Sequence, residues 1–155
     1  MRSSIEKSGT AVSHNQLSGD FTLASWVDIS RTPGNADELF FGSGGMDINF
    51  YQQRPRFYSG TQDSAVSNRP VTANTWTHVA VTRRAGALTV YVDGQATGSG
   101  TWADAFDLYS TGESSRGTLQ GTLSNVLVQD TALTAGQIST LVDQTAGAPH
   151  VPWLR

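Results

Sequence analysis

The chain has 155 residues, a net charge of -3, only 15% charged side chains and no cysteine. That length is one domain's worth and can bury roughly 68–70% of its unfolded surface, enough for a self-sufficient core. The composition excludes disulfides and thiolate metal sites. It also argues against nucleic acid, because phosphate binding needs a concentrated basic face, and Arg54, Arg56, Arg69, Arg83 and Arg84 fall on separate stretches.

Residues 1–20 are polar, with a weak strand expected around Thr10–Ser13. The stretch MRSSIEKSGT lacks the apolar centre of a signal peptide. No apolar run reaches the about 20 residues that span a bilayer, so membrane insertion is not expected. Phe21–Ile29 reads as a strong strand, with Phe21, Leu23 and Val27 on one face and Trp26 on the other. Arg31–Asp37 is a loop punctuated by Pro33, Gly34 and Asn35. Glu38–Gly42 is an apolar strand, and Gly44-Gly45 turns the chain into Met46–Gln53. There Met46, Ile48 and Phe50 share one face, and Asp47, Asn49, Tyr51 and Gln53 the other. Pro55 breaks the run, and a strand at Arg56–Ser59 turns Phe57 inward and Arg56 and Tyr58 outward. Thr61–Asn74 is polar, with at most one short strand.

Trp76–Gly98 carries the clearest pattern: Val79 and Val81 alternate with Ala80 and Thr82, then Leu88, Val90 and Val92 with Thr89, Tyr91 and Asp93. This is a hairpin around Ala85-Gly86, with one apolar and one mostly polar face. Asp93-Gly94 supplies the positive-φ turn into Gln95–Thr97. Gly98–Asp107 holds Trp102 and Phe106, Leu108–Ser110 is a short strand, and Thr111–Gly117 is a loop. In Gly121–Gln129, Leu123 and Val126 are both apolar yet three apart, so one extra residue at Ser124–Asn125 predicts a β-bulge. Thr134–Gln137 fits a capping box that opens a short helix bearing Ile138, Leu141 and Val142. Pro149 and Pro152 keep the tail from being helical throughout.

Several of these stretches carry a family likeness. Trp76-Thr-His-Val-Ala-Val-Thr, a short turn and a strand ending Tyr91-Val-Asp-Gly94 resembles the signature hairpin of laminin-G-like, concanavalin A-like jelly-roll domains. Phe21–Val27 looks like the family's early strand, Leu39–Gly42 like the strand after it, and Gly121–Leu133 like the closing strand. The four motifs occur in the family's order over residues ~20–142. The resemblance implies an all-β fold: a two-sheet antiparallel jelly-roll β-sandwich with one short C-terminal helix. The expected organisation is a single domain over residues 1–155, with its core at about residues 10–145 and a tail at 146–155.

The fold hosts lectin-like modules, enzymes, adhesion domains and structural pieces, so function must come from side chains. One candidate site is Asp47, Asn49, Tyr51, Arg56 and Tyr58 on the outward face of two neighbouring strands. Sugars stack on flat rings while amides and carboxylates take their hydroxyls, and this group has both kinds of residue. The alternative is a solvated sheet face whose tyrosines pair across strands. Trp102, in a Gly- and Asp-rich stretch, either meets ligand with Tyr109 at the rim or plugs the end of the sandwich. Trp26 and Trp76 match the family's recurrent tryptophans and read as structural, and His78 reads as a core residue.

Many relatives hold calcium with hard oxygen ligands, and Asp28, Asp37, Asp47, Asp104, Asp107, Glu113 and Asp130 are available here. Ser124 and Asn125, however, stand where many relatives have Asp-Glu, so no metal-ligand set is assigned. The retaining hydrolases of the group carry two carboxylates about 5–5.5 Å apart on one strand face. The three glutamates here, Glu6, Glu38 and Glu113, have no such spacing, and no other hydrolase motif is present. No catalytic residue is assigned. The expected role is a non-catalytic module that binds a polysaccharide, a cell-surface glycan or a glycoprotein, from an extracellular or virion-surface location. Its rivals are an assembly domain acting through a protein partner or self-association, and a cryptic polysaccharide-active enzyme.

Overall fold

The computed structural model describes residues 4–6 and 11–147, with side chains from residue 16 onward. Two six-stranded antiparallel sheets face each other. The first runs, in spatial order, β1 (Ser4–Glu6), β14 (Gly121–Gln129), β3 (Phe21–Ile29), β8 (Thr77–Arg84), β9 (Ala87–Val92) and β10 (Gln95–Thr101). The second runs β2 (Ala11–Leu17), β11 (Phe106–Thr111), β4 (Phe40–Gly42), β5 (Asp47–Tyr51), β6 (Arg54–Tyr58) and β7 (Asp63–Val66). A two-stranded flap, β12 (Glu113–Ser114) with β13 (Gly117–Thr118), a 3-10 turn at Ser43–Gly45 and one α-helix, α1 (Ala135–Thr145), complete the elements among the described residues.

Alternation decides which side chains meet between the sheets. Phe21, Leu23, Val27 and Ile29 of β3 and Val79 and Val81 of β8 point inward against Phe40, Ile48, Phe50, Phe57, Phe106 and Leu108. Phe21, Phe57 and Phe106 form an aromatic centre with ring centroids 5.6–6.4 Å apart. Each such buried ring contributes about 1.5–3 kcal/mol. The Ala85-Gly86 and Asp93-Gly94 turns have both central residues at positive φ, as two-residue hairpins require. The bulge in β14 is present: its register against β3 shifts between Ser124 and Leu127, and Asn125 sits at φ 53°.

The two sheets close along one side, where β10 of the first meets β7 of the second. A Cβ on Gly98 would collide with the Val66 carbonyl oxygen, and one on Gly100 with that of Ser64. Only glycine permits this approach.

The mostly polar face of the Val79–Val92 hairpin is covered by α1. Ile138 is fully buried on Ala24, Ala80 and Tyr91, with Leu127, Leu133 and Leu141 around it. The helix opens with the expected capping box, in which the Thr134 hydroxyl accepts from the Gln137 amide and the Gln137 side chain from the Thr134 amide. Near its other end, Trp26 Nε1 donates to Thr145 Oγ1 at 2.7 Å.

Some elements differ from expectation. Ser4–Glu6 is a strand that the polar pattern hid, because it pairs along the edge of β14. The strand expected from Thr10 runs Ala11–Leu17; residue 10 and the tail beyond 147 lie outside the described residues. Pro55 stands within β6 opposite Phe50 rather than ahead of the strand. The Thr111–Gly117 loop contains the flap.

Candidate functional site

The register of the second sheet brings the predicted group together. Asp47 lies opposite Tyr58, Asn49 opposite Arg56, and Tyr51 opposite Arg54. Phe41 continues the row beside Asp47, and Ser110 beside Phe41. A bulge in β11 between Leu108 and Ser110 leaves Tyr109 as the extra residue, standing exposed.

Outward does not mean open here. Asp47 and Asn49 are fully buried and Arg56 is 7% exposed, which corrects the expectation that these three side chains offer themselves to a ligand on an open face. The flap and the Arg31–Asp37 loop cover them. Arg116, between the flap strands, ion-pairs with Asp47 and donates from Nη2 to the Gly45 carbonyl at 2.9 Å. Asn49 Nδ2 donates to the Asn35 carbonyl at 2.9 Å, and Asn49 Oδ1 accepts from Arg56 Nε at 2.8 Å. Arg56 also ion-pairs with Asp63.

The guanidinium groups interleave with the rings. Arg56 Cζ lies 5.4 Å from the Tyr51 centroid and 4.9 Å from that of Tyr58, and Arg116 Cζ lies 5.2 Å from Tyr58. Cation–π attraction of this kind fixes ring orientation. The result is a stack, Tyr51–Arg56–Tyr58–Arg116, anchored by buried polar bonds and presenting ring surface to solvent. Tyr51 at 48% and Tyr109 at 40% are the exposed large hydrophobic side chains among the described residues. Both stand on this sheet.

Glu38 lies beneath the flap. It is fully buried, and Oε1 accepts from Ser114 Oγ at 2.9 Å. Burial pushes its carboxyl up to about 7, against the opposing pull of the Ser114 bond and the Arg116 charge. Sequence reading missed Glu38, Phe41 and Arg116. Phe41 was accessible in principle, since an inward Phe40 turns it outward.

Trp102 does not join this face. It follows β10 of the other sheet, and its ring packs 6.2 Å from Phe57 and against the core. Its amide donates to the Gly86 carbonyl at 2.8 Å. Of its two readings, the plug is the one the packing favours. His78 is buried edge-on to Trp26, 5.3 Å between centroids, and burial pulls it down to about 4.

For calcium, the described residues offer no ready cluster of carboxylates. Among the described residues no three acidic or histidine side chains converge. The Asp47 carboxylate and the Gly45 carbonyl, both hard oxygen donors, are already bound by Arg116.

The chain is similar to several solved structures. A candidate carbohydrate-binding protein from Bacteroides ovatus matches with a TM-score of 0.70 and 21% identity, over 86% of this chain and 43% of that one. Domain 4 of an extracellular arabinanase from Geobacillus stearothermophilus, in complex with arabinotriose, matches with a TM-score of 0.69 and 23% identity, over 84% and 68%. A heptameric pentraxin from Limulus polyphemus matches with a TM-score of 0.65 and 16% identity, over 86% and 74%. Below 25% identity these likenesses are likenesses of fold. The chain spans less than half of the Bacteroides protein. No curated protein matches the sequence significantly. The sequence profile of one family covers residues 6–139. With those residues matched and the two-sheet sandwich in place, this chain is a member of the concanavalin A-like lectin/glucanases superfamily.

Proposed function

We propose that the chain is a non-catalytic carbohydrate-binding module whose ligand lies on the outer face of the second sheet, along Tyr51, Tyr58 and Tyr109. The observation that carries this reading is the exposure of Tyr51 and Tyr109 on one sheet, with the buried Arg56 lying against the rings of both Tyr51 and Tyr58. Flat rings offer stacking surface to a pyranose or furanose. Asp63, Arg54 and Arg116 around them offer directional hydrogen bonds. The site is shallow and preformed, so little ordering cost opposes binding. The arabinotriose complex of a similar fold and the carbohydrate-binding candidate from Bacteroides support this reading. A secreted or cell-surface setting fits it, since the arabinanase is extracellular. Calcium takes no part.

Affinity electrophoresis on soluble polysaccharides tests the proposal. Tyr51→Ala and Tyr109→Ala should each weaken binding about tenfold with little change in melting temperature, as expected for exposed stacking rings. Binding that survives both substitutions would move the site elsewhere. A defined oligomer with no saccharide binding would favour an assembly role instead.

A further inference from the structure

Among the described residues, every arginine but one has a partner. Arg31, Arg56, Arg69 and Arg116 pair with carboxylates. Arg83 and Arg84 donate to backbone carbonyls. Arg54 is exposed and has no such partner. It is also directly opposite Tyr51, the most exposed large aromatic side chain among the described residues.

The pair is rigidly placed. Tyr51 and Arg54 flank the Gln52-Gln53 turn, whose φ values of 49° and 66° match a two-residue hairpin. Arg56 braces one side of the Tyr51 ring. The nearby acids are neutralised, Asp63 by Arg56 and Asp47 by Arg116. The local charge of this face is therefore set by Arg54. A free guanidinium is a planar fork that matches a carboxylate in bidentate fashion. A ring and an unpaired guanidinium side by side complement a ligand that is flat on one face and carries a carboxylate at its edge.

Resting on the carbohydrate-binding reading, we infer that Tyr51 and Arg54 together select acidic saccharides, those built from uronic or other carboxylated sugars. Arg54 is the specificity-determining residue and Tyr51 the stacking platform. The protein's overall charge of -3 works against general attraction to polyanions, so any preference for acidic chains must be local.

Binding to polygalacturonate, alginate and hyaluronan should be compared with binding to neutral arabinan and galactan, at low and high salt. The proteins are the parent, Arg54→Gln and, as a charge-matched control on the other sheet, Arg84→Gln. At least one acidic chain should be bound about tenfold more tightly than any neutral one. Arg54→Gln should erase that preference with unchanged melting, Arg84→Gln should not, and salt should weaken only the acidic interaction. Neutral chains bound as tightly by both parent and Arg54→Gln would overturn the acidic selectivity and leave the carbohydrate reading standing. Equal weakening by both substitutions would also overturn it, as unspecific polyanion attraction. Silence on every chain would remove the carbohydrate reading itself.

Discussion

Glu38 and His78 sit on opposite outer sides of the sandwich, and burial moves them in opposite directions. Glu38 rises from 4.5 to about 7 in the folded protein, and His78 falls from 6.5 to about 4. Between roughly pH 4.5 and 7 the folded protein keeps the Glu38 proton that the unfolded chain releases. Glu38 therefore stabilises most below pH 4.5, and that contribution is lost as pH rises through 7. His78 behaves oppositely. Its contribution is full above pH 6.5 and is lost as pH falls toward 4, because the unfolded chain takes up a proton that the core refuses. Each swing amounts to about 3 kcal/mol. Over pH 4.5–6.5 the two slopes nearly cancel, so the parent's stability should show little slope from this pair. Glu38→Gln removes one arm. Its stability relative to the parent should rise by about 3 kcal/mol between pH 4.5 and 7.5, read as the difference between urea unfolding curves. His78→Gln should give a difference of the opposite sign, and the double variant should be the sum of the two, since the sites share no partner. A Glu38→Gln difference that is flat across this range would refute the buried-acid reasoning.

Other perturbations reach the frame of the site. Arg116→Gln leaves the fully buried Asp47 without its ion partner, and losing one member of such a pair costs about 3–5 kcal/mol. Because Arg116 is itself a third exposed, a loss of about 2–3 kcal/mol is expected by urea denaturation. Asp47→Asn in that background should recover part of it. Gly100→Ala drives a methyl into the Ser64 carbonyl and should cost about 3 kcal/mol or prevent the β10–β7 closure, visible as a lowered thermal midpoint. Asn125→Val, at φ 53°, should destabilise by about 1–2 kcal/mol, whereas Asn125→Gly should be tolerated.

The frame was legible in the sequence because period-two alternation assigns each strand residue to a face. It located the hairpin, its valines and Phe21, Phe50 and Phe57, but gave no face to Phe40 or Phe106. The three-residue spacing of Leu123 and Val126 located the bulge, and Thr134–Gln137 the helix start. Alternation also gathered Asp47, Asn49, Tyr51, Arg56 and Tyr58 onto one side of one hairpin. It could not say what covers that side. The cover comes from Arg116, 69 residues from Asp47 along the chain, in a stretch whose Gly, Ser and Thr content reads only as loop. The same limit hid where α1 docks: its stripe of Ile138, Leu141 and Val142 marks a face to be buried but does not name the hairpin face that receives it. Trp102 shows the converse. Its polar neighbours suggest an exposed loop, yet the sandwich edge needs a large ring there, and Phe57 receives it.

The saccharide is assigned a place on the protein as well as a chemical class, and amide chemical-shift mapping by NMR with a bound saccharide, in the presence of a chelator, tests both at once. Shifts should concentrate on Tyr51, Arg54, Tyr58, Asp63 and Tyr109, persist with chelator and need about tenfold more saccharide to saturate in Tyr51→Ala. Shifts centred on the Trp102 edge or on α1, or no saccharide that shifts any resonance of the folded protein, would contradict that assignment.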